Sequence, residues 1–362
     1  MFNPSSVAKV LVRATNWLGD AVMSLPAVRA MRHVFPHARV AVVARPWVAD
    51  LYAGETAIDQ VILYGMHKGL RAKREFAAQL REQSFECAIL LQNAFDAALM
   101  AWMARIPVRI GYNRDRRGLL LTRAVPVPEL GEIPRHERFY YLELLRRAGL
   151  IGRHDYVHWG VPAIQLDGIK TARIAGARRL RALGIAGNVV GISPGAAYGN
   201  AKRWLPERFA ETAARLCCAP ASPVLVFGSS PERALCEQVA AGLRRLHVDS
   251  RNLAGETSLR EFIELAAACR LFLTNDSGAM HVASALGVPT VAVFGATDDA
   301  TTGPAGPHAR VVRTHAECSP CLRRECPIDH RCMTRIPTDM VTAAAFQLGE
   351  EAARKWTHEA RS

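Results

Sequence analysis

LFLTNDSGAMHVASALGVPTVAVFG, residues 271–295, decides how this chain folds. LFLT is an apolar run of strand length, and Asn275-Asp276-Ser277-Gly278 is turn chemistry that also supplies N-cap side chains. Residues 279–286 are strong helix formers, Gly287 ends them, and after Val288-Pro289 a second apolar run covers 290–294. Strand, acidic turn, helix and strand make a parallel βαβ unit. Open α/β sheets bind ligands at the carboxyl ends of such strands. The helix start offers unpaired N–H groups and the positive end of a dipole, which suits a phosphate. Asp276 and His281 lie on the same unit, and both can hydrogen-bond sugar hydroxyls. Polar capping of an ordinary βαβ unit explains the same residues, so the unit alone leaves both readings open.

The alternation continues on both sides. VAKVLVR (7–13) is a strand, ATNWLGD (14–20) a glycine-containing loop, and 21–35 has the apolar spacing of a helix. Asp20 stands at that helix start, as a capping carboxylate or a general base. The loop is not G-x-G-x-x-G, so a dinucleotide fingerprint is absent from it. Strands over 38–45, 61–64, 87–92 and 108–112 alternate with helices over 70–83, 94–104 and 135–148. Residues 152–167, GRHDYVHWGVPAIQLD, break the pattern and read as an interdomain linker. A second series follows, with helices over 170–183, 204–216, 231–246 and 259–268 and strands over 188–195 and 223–228. Single strands alternating with helices mean doubly wound parallel sheets. The expected fold is therefore α/β, with Rossmann-like domains over 1–165 and 166–336 facing a cleft. The remaining segment, 337–362, contains an amphipathic helix (338–358) expected to brace the first domain.

A length of 362 residues suits two domains, and 50% hydrophobic residues mark a globular chain. The net charge of +13 calls for anionic partners. Nucleic acid is not favoured, because the charges are dispersed over α/β elements and no helix-turn-helix or RNA-binding signature is visible. No apolar run is long enough to span a bilayer and the N-terminus lacks a signal-peptide core, so a cytoplasmic protein is expected. Nine cysteines in such a chain read as thiols or metal ligands. Cys87, Cys217, Cys218, Cys236 and Cys269 are scattered and read as small apolar residues. Cys318, Cys321, Cys326 and Cys332 cluster as C-x2-C-x4-C-x5-C with His330 beside them. The first pair has metal-ligand spacing, and thiolates select zinc or an iron–sulfur cluster. The intervals match no standard cluster run. A structural staple and free thiols both remain open.

Three loops of the second series end strands and could meet on one ligand. The first, residues 193–204, is SPGAAYGNAKRW. Gly195 lets backbone approach a phosphate, Tyr198 can contact one, and Lys202 and Arg203 add charge. In the second, Glu232 could accept from ribose hydroxyls. The third is the acidic turn with Ser277 and Gly278. Together they describe a nucleotide-phosphate site.

ATNWLGDAVMSLPAVRAM, SPGAAYGNAKRWLPERFAE, NDSGAMHVASALGVPTVAVFGATD and CSPCLRRECPIDHRCM together resemble glycosyltransferase family nine, of the GT-B fold, over nearly the whole chain. The cysteine segment narrows the resemblance to the heptosyltransferases of type II. The resemblance implies ADP-heptose as donor, bound by the C-terminal domain. Its implied acceptor is the heptosylated Kdo-lipid A inner core of lipopolysaccharide, bound by the N-terminal domain. Transfer is implied to invert the anomeric centre without a catalytic metal. Asp20 matches the family's loop aspartate and would be the base. Lys202 matches its phosphate-contacting lysine and would neutralise the leaving group. Asp276 and His281 match positions near the donor sugar and phosphates, Glu232 a ribose-binding glutamate, and Thr257 a position lining the adenine pocket. The family's type I enzymes carry hydroxyl residues where this chain has Ala196 and Ala197, so phosphate contacts there would fall to backbone N–H groups or Tyr198. Acceptor candidates are Asn16, Trp17 and Gly19 in the first loop, with Arg45, Trp47, Arg114, Arg116 and Arg117, since guanidinium groups suit carboxylates and phosphates. The basic face is expected to touch the anionic leaflet of the inner membrane peripherally, and the chain to be a monomer. A GT-B-like sugar-nucleotide epimerase and a non-catalytic polyanion-binding module are the competing functions.

Overall fold

Valine-rich runs flanked by turn residues form strands buried on both faces, as parallel sheets require. In the computed structural model these runs build two six-stranded, wholly parallel sheets. The structure describes residues 2–65, 69–217 and 222–359, with backbone alone for 353–359; Cys218 lies outside the described residues. The chain divides into two compact units, Met1–Pro162 and Ala163–Ser362.

In the first unit the strands are β1 (Lys9–Arg13), β2 (Arg39–Ala44), β3 (Gln60–Leu63), β4 (Cys87–Leu90), β5 (Val108–Tyr112) and β6 (Arg123–Val125), in the order β3-β2-β1-β4-β5-β6. In the second they are β7 (Val190–Ser193), β8 (Val224–Val226), β9 (Ser250–Asn252), β10 (Leu271–Asn275), β11 (Thr290–Val293) and β12 (Ala309–Val312), in the order β12-β11-β10-β7-β8-β9. Both orders reverse direction beside the unit's first strand, between β1 and β4 and between β7 and β10. That reversal opens a crevice at the carboxyl ends of the strands. The edge strands β6, β9 and β12 were not expected. They are short and carry Arg123, Arg251 and Arg310, so hydrophobic patterning passes over them.

Two further expectations change. The helix read over 21–35 is two, Leu18–Met23 and Leu25–Val34, because Pro26 supplies no N–H and restarts the helix. The linker over 152–167 contains a helix, Arg153–Gly160, with Tyr156 against Phe139 and Trp159 against His33. Its aromatic residues, taken as a break in the pattern, are packing residues of the first unit. The terminal helix, Thr338–Glu359, places Val341, Ala344, Ala345 and Leu348 in the core of the second unit. This apolar stripe packs beside Val291, Val293 and Val312. Among the described residues no helix is long and apolar enough to cross a membrane.

Trp204 anchors the second core. It is fully buried, donates Nε1–H to the Ile336 carbonyl at 3.1 Å and meets Phe209 edge-on. Truncating such a residue costs about 3–5 kcal/mol. Because Trp204 is rigid, the residues just before it have a fixed base.

Candidate active site

At the reversal between β7 and β10, Asn275 joins the two strand ends. Its amide donates to the Pro194 carbonyl (2.7 Å), and its side-chain oxygen accepts from the Trp204 N–H (3.0 Å). Asn275 is fully buried, so both bonds are sheltered from water. One residue on, Asp276 Oδ2 accepts from Lys202 Nζ and from the Thr297 hydroxyl, each at 2.6 Å. Asp276 is buried and Lys202 mostly so, which leaves this ion pair weakly screened. The ammonium also lies 5.0 Å from the centre of the Tyr198 ring.

Ser277 then caps the Gly278–Ala285 helix. Its Oγ accepts from the Met280 N–H (3.4 Å) and hydrogen-bonds the Thr274 hydroxyl (3.1 Å). The first turn of that helix follows Asp276 in the chain by two residues, and His281 is buried in the same helix. Glu232 closes a capping box on Ser229, accepting from its N–H (2.9 Å) and its hydroxyl (2.7 Å). Gly195 lies against that carboxylate so closely that a Cβ there would come within 2.1 Å of Glu232 Oε1. Gly255 in the loop after β9 donates to the Gly228 carbonyl after β8 (2.9 Å), and Thr257 follows in that loop. The three loops singled out in the sequence therefore meet at one end of one sheet. Arg203 donates to the Ala196 carbonyl (3.3 Å), while its buried Nε has no partner among the described residues.

The first unit gathers its candidates at the equivalent strand ends. Asp20 lies in the first turn of Leu18–Met23, next to Trp17 and Gly19, and Trp17 is exposed. The Asn16 carbonyl accepts from Trp47 Nε1 (2.8 Å) and its side chain from Arg13 (3.3 Å), which ties the loops after β1 and β2 together. Arg45 stacks over Tyr64 (4.5 Å) and Trp47 (5.7 Å), donates to the Tyr64 carbonyl (3.3 Å) and the Gly65 carbonyl, and keeps a buried Nε without a partner among the described residues. Arg114 and Arg116 are exposed, Arg114 beside Asp115 (3.8 Å).

Arg117 requires a correction. It is fully buried, donating to the carbonyls of Tyr112 (2.9 Å) and Gln92 and to Asn93 Oδ1 (3.1 Å), and burial pulls its guanidinium down to about 10. A group enclosed in this way braces the β4 and β5 loops and has no face for an acceptor.

Four residues of this end were not singled out in the sequence. Arg13, the last residue of β1, is buried among carbonyls and lowered to about 10, by desolvation first and then by Arg45. Tyr64 donates to Asp96 (2.7 Å), which also pairs with Lys73. Glu137 begins the Glu137–Arg147 helix; burial, followed by the Asp20 carboxylate, pushes its carboxyl up to about 7. Its sequence signal is the flanking basic pair, His136 and Arg138, at the start of the helix expected over 135–148.

Cys318, Cys321, Cys326 and Cys332 all line one cavity of about 140 Å³. Burial, followed by those three other thiols, pushes the Cys332 thiol up to about 11. Among the described residues, no three His, Cys, Asp or Glu side chains are already drawn together at ligating distance. Cys87, Cys236 and Cys269 are buried and Cys217 half-buried, in keeping with a packing role.

Residues 73–331 match the model of glycosyltransferase family 9 (heptosyltransferase). Lipopolysaccharide heptosyltransferase 2 of Salmonella typhimurium is 32% identical over 313 residues, spanning 84% of this chain and 88% of that protein. The Escherichia coli protein of the same name is 31% identical over 309 residues, with the same coverage. The solved structure of E. coli ADP-heptose LPS heptosyltransferase II superposes with a TM-score of 0.79 at 28% identity, covering 95% of this chain and 99% of that one.

Proposed function

The chain belongs to glycosyltransferase family 9, and from that premise we propose how its two units divide the transfer of a heptose. It is a glycosyltransferase of lipopolysaccharide core assembly, moving heptose from ADP-heptose to the inner core that already carries one heptose. Its α/β fold is that of the GT-B heptosyltransferases.

The observation that carries the donor assignment is the Lys202–Asp276 pair beside the Ser277-capped helix start. A departing diphosphate gains negative charge as the bond to the anomeric carbon breaks. An ammonium and a helix N-terminus, held in place beforehand, stabilise that charge without reorganising. Asp276, fixed by Thr297, positions the ammonium. Gly195 and the N–H groups around it face the phosphates in place of the missing hydroxyl side chains at 196 and 197. Glu232 and Thr257 hold the ribose and adenine, His281 lies near the donor sugar, and the Nε of Arg203, without a partner among the described residues, is a donor for a ligand oxygen.

On the first unit Asp20 takes the proton of the acceptor hydroxyl as its oxygen attacks the anomeric carbon from the face opposite the diphosphate. One such displacement inverts the centre, and no metal is needed to balance its charges. Asn16, Trp17, Gly19, Arg45, Trp47, Arg114 and Arg116 bind the acceptor, the guanidinium groups meeting its carboxylates and phosphates. Its lipid brings the protein to the cytoplasmic face of the inner membrane as a peripheral monomer. In this scheme the thiol cluster takes no part in transfer and acts as a structural staple.

ADP release from ADP-heptose is the test. Release that requires a mono-heptosylated Kdo-lipid A acceptor is expected. Release with the heptose-free acceptor alone would make the chain a type I transferase, and acceptor-independent conversion of the donor would make it an epimerase. Asp20→Ala should abolish release and leave ADP binding intact; retained turnover removes Asp20 from the mechanism.

A further inference from the structure

The transfer chemistry leaves the cysteine segment unused, and yet that segment is built into the donor loop. The Tyr198 hydroxyl donates to the Leu322 carbonyl (3.0 Å), Ala201 N–H to the Arg324 carbonyl (3.0 Å), and Cys326 N–H to Asn200 Oδ1 (3.3 Å). Arg324 lies over the Tyr198 ring at 5.2 Å, the ring that Lys202 also approaches. At Gly199 a Cβ would sit 2.0 Å from the Arg324 carbonyl oxygen, so only glycine admits this contact. On its other side the segment donates from Leu322 N–H to the Ala296 carbonyl (2.8 Å) and from the Ser319 hydroxyl to the Gly295 carbonyl (2.5 Å). Thr297, which fixes Asp276, is the next residue. Both partners of the Lys202–Asp276 pair thus hang from the segment that carries the thiols.

The segment is also held in costly backbone. Leu322 and His330 occupy the left-handed region, φ 57° and 53°, where non-glycine residues persist only when their surroundings impose it. His330 N–H points at Cys326 Sγ (3.3 Å), a hydrogen bond of the kind that supports a ligating thiolate. Arg323 and Arg331 stand in the same cavity wall as the four thiols.

We propose that Cys318, Cys321, Cys326 and Cys332 hold a single thiophilic divalent ion, zinc or iron, that clamps the Lys202 loop to the Asp276 loop. Four sulfurs complete a tetrahedral shell with no open position, which is the form of a structural site. Binding releases four thiol protons to solvent and leaves a centre of charge 2−, which Arg323 and Arg331 offset. All four thiols line the one cavity of about 140 Å³, which is where such an ion would sit. The ion is thereby a positioning element for the donor site, one step removed from the diphosphate.

Elemental analysis of the reduced full-length protein, purified without chelator or a metal-affinity tag, is the test. About one equivalent of zinc or iron per chain is expected, lost in Cys318→Ser/Cys321→Ser and retained in Cys217→Ser. Cobalt reconstitution of stripped protein should give the visible absorption of a tetrahedral thiolate site. The stripped protein, checked for fold by circular dichroism, should bind ADP at least tenfold more weakly and recover when zinc is restored. No metal in the isolated protein and no thiol-dependent zinc uptake overturns the site. Iron accompanied by acid-labile sulfide replaces the single ion with a cluster and overturns that form of it. Metal loss with unchanged ADP affinity overturns the clamp. None of these outcomes depends on which sugar or acceptor is used, so the transferase assignment stands or falls separately.

Discussion

Arg117→Met separates structural arginine from ligand-binding arginine. The side chain is fully exposed to protein and not to water, and its donors serve the Tyr112 and Gln92 carbonyls and Asn93 Oδ1. Methionine approximates its length without its donors, so the Gln92 carbonyl and Asn93 Oδ1 lose this partner while the Tyr112 carbonyl keeps the Arg114 N–H (2.9 Å). An unsatisfied buried acceptor costs roughly 1–3 kcal/mol, but removal of a desolvated charge returns part of that. A net loss of about 3 kcal/mol is expected. That is a large share of the 5–15 kcal/mol or so that keeps a domain folded. Thermal and urea midpoints should fall, hydrogen exchange should quicken in β5 and the loop after it, and ADP binding by the second unit should not change. At a temperature where the variant remains folded, its acceptor KM should stay within threefold of wild type. Arg114→Ala and Arg116→Ala should behave in the opposite way, with stability within about 0.5 kcal/mol and a raised acceptor KM. An Arg117→Met protein of normal stability whose acceptor KM rises tenfold would refute the structural role.

Lys202→Met should lower kcat by about 10²- to 10³-fold, the usual effect of removing one preorganised electrostatic stabiliser, with the fold intact by circular dichroism; a threefold loss would exclude it from leaving-group stabilisation. Glu137→Gln tests the raised carboxyl. With a native value of about 7 against 4.5 for the free side chain, the native state keeps a proton that the unfolded state gives up between those pH values. Stability should therefore be greatest below pH 4.5 as far as this group is concerned, and fall by up to about 3 kcal/mol as pH rises through 7. The glutamine variant should lose that component, and equal pH slopes of melting temperature in both proteins would contradict it. Gly195→Ala drives a methyl into Glu232 Oε1 and should weaken ADP binding roughly tenfold while barely altering the melting temperature, since the loop can yield. Calorimetric titration with ADP decides it, and unchanged affinity would free Glu232 from the ribose.

The central strands were legible because their patterning has one physical cause. A parallel strand buried on both faces must be apolar through its middle, and β1, β2, β4, β7, β10 and β11 are, with polar residues such as Lys9, Arg13, Arg39, Ser193 and Asn275 towards their ends. Edge strands escape this demand, so β9, whose sequence is Ser250-Arg251-Asn252, carries no such mark. The loops after β7, β8 and β10, which we propose hold the donor, were legible as loops for a related reason: glycine, small residues and a lysine at a strand end are there for backbone geometry and charge, both local. Arg117 was misread because exposure is not local. RDRR looks like a solvated turn, and only the close approach of the β4 loop turns its last arginine inward. Asn275 and Thr297 were missed similarly, since each is ordinary in its own segment and acquires its role from a partner more than twenty residues away.

Where the arginines sit also changes what a net charge of +13 can do. Arg13 and Arg117 are buried and spend their charge on carbonyls. Arg146 and Arg147 share Glu143, and Arg179 is held between Glu261 and Glu264. Such groups add to the formal charge but offer little to a passing polyanion. A module evolved to bind polyanions generically needs its cations free along a surface, because affinity there scales with the counterions released. Here Arg45, Arg114 and Arg116 instead gather at the strand ends that hold Asp20, and Lys202 and Arg203 at those that hold Asp276. Among the described residues Arg45 and Arg203 each keep a buried Nε–H without a partner, a cost that a bound carboxylate or phosphate would relieve. Charge concentrated at two sheet ends, with donors left open there, fits recognition of two specific anionic substrates.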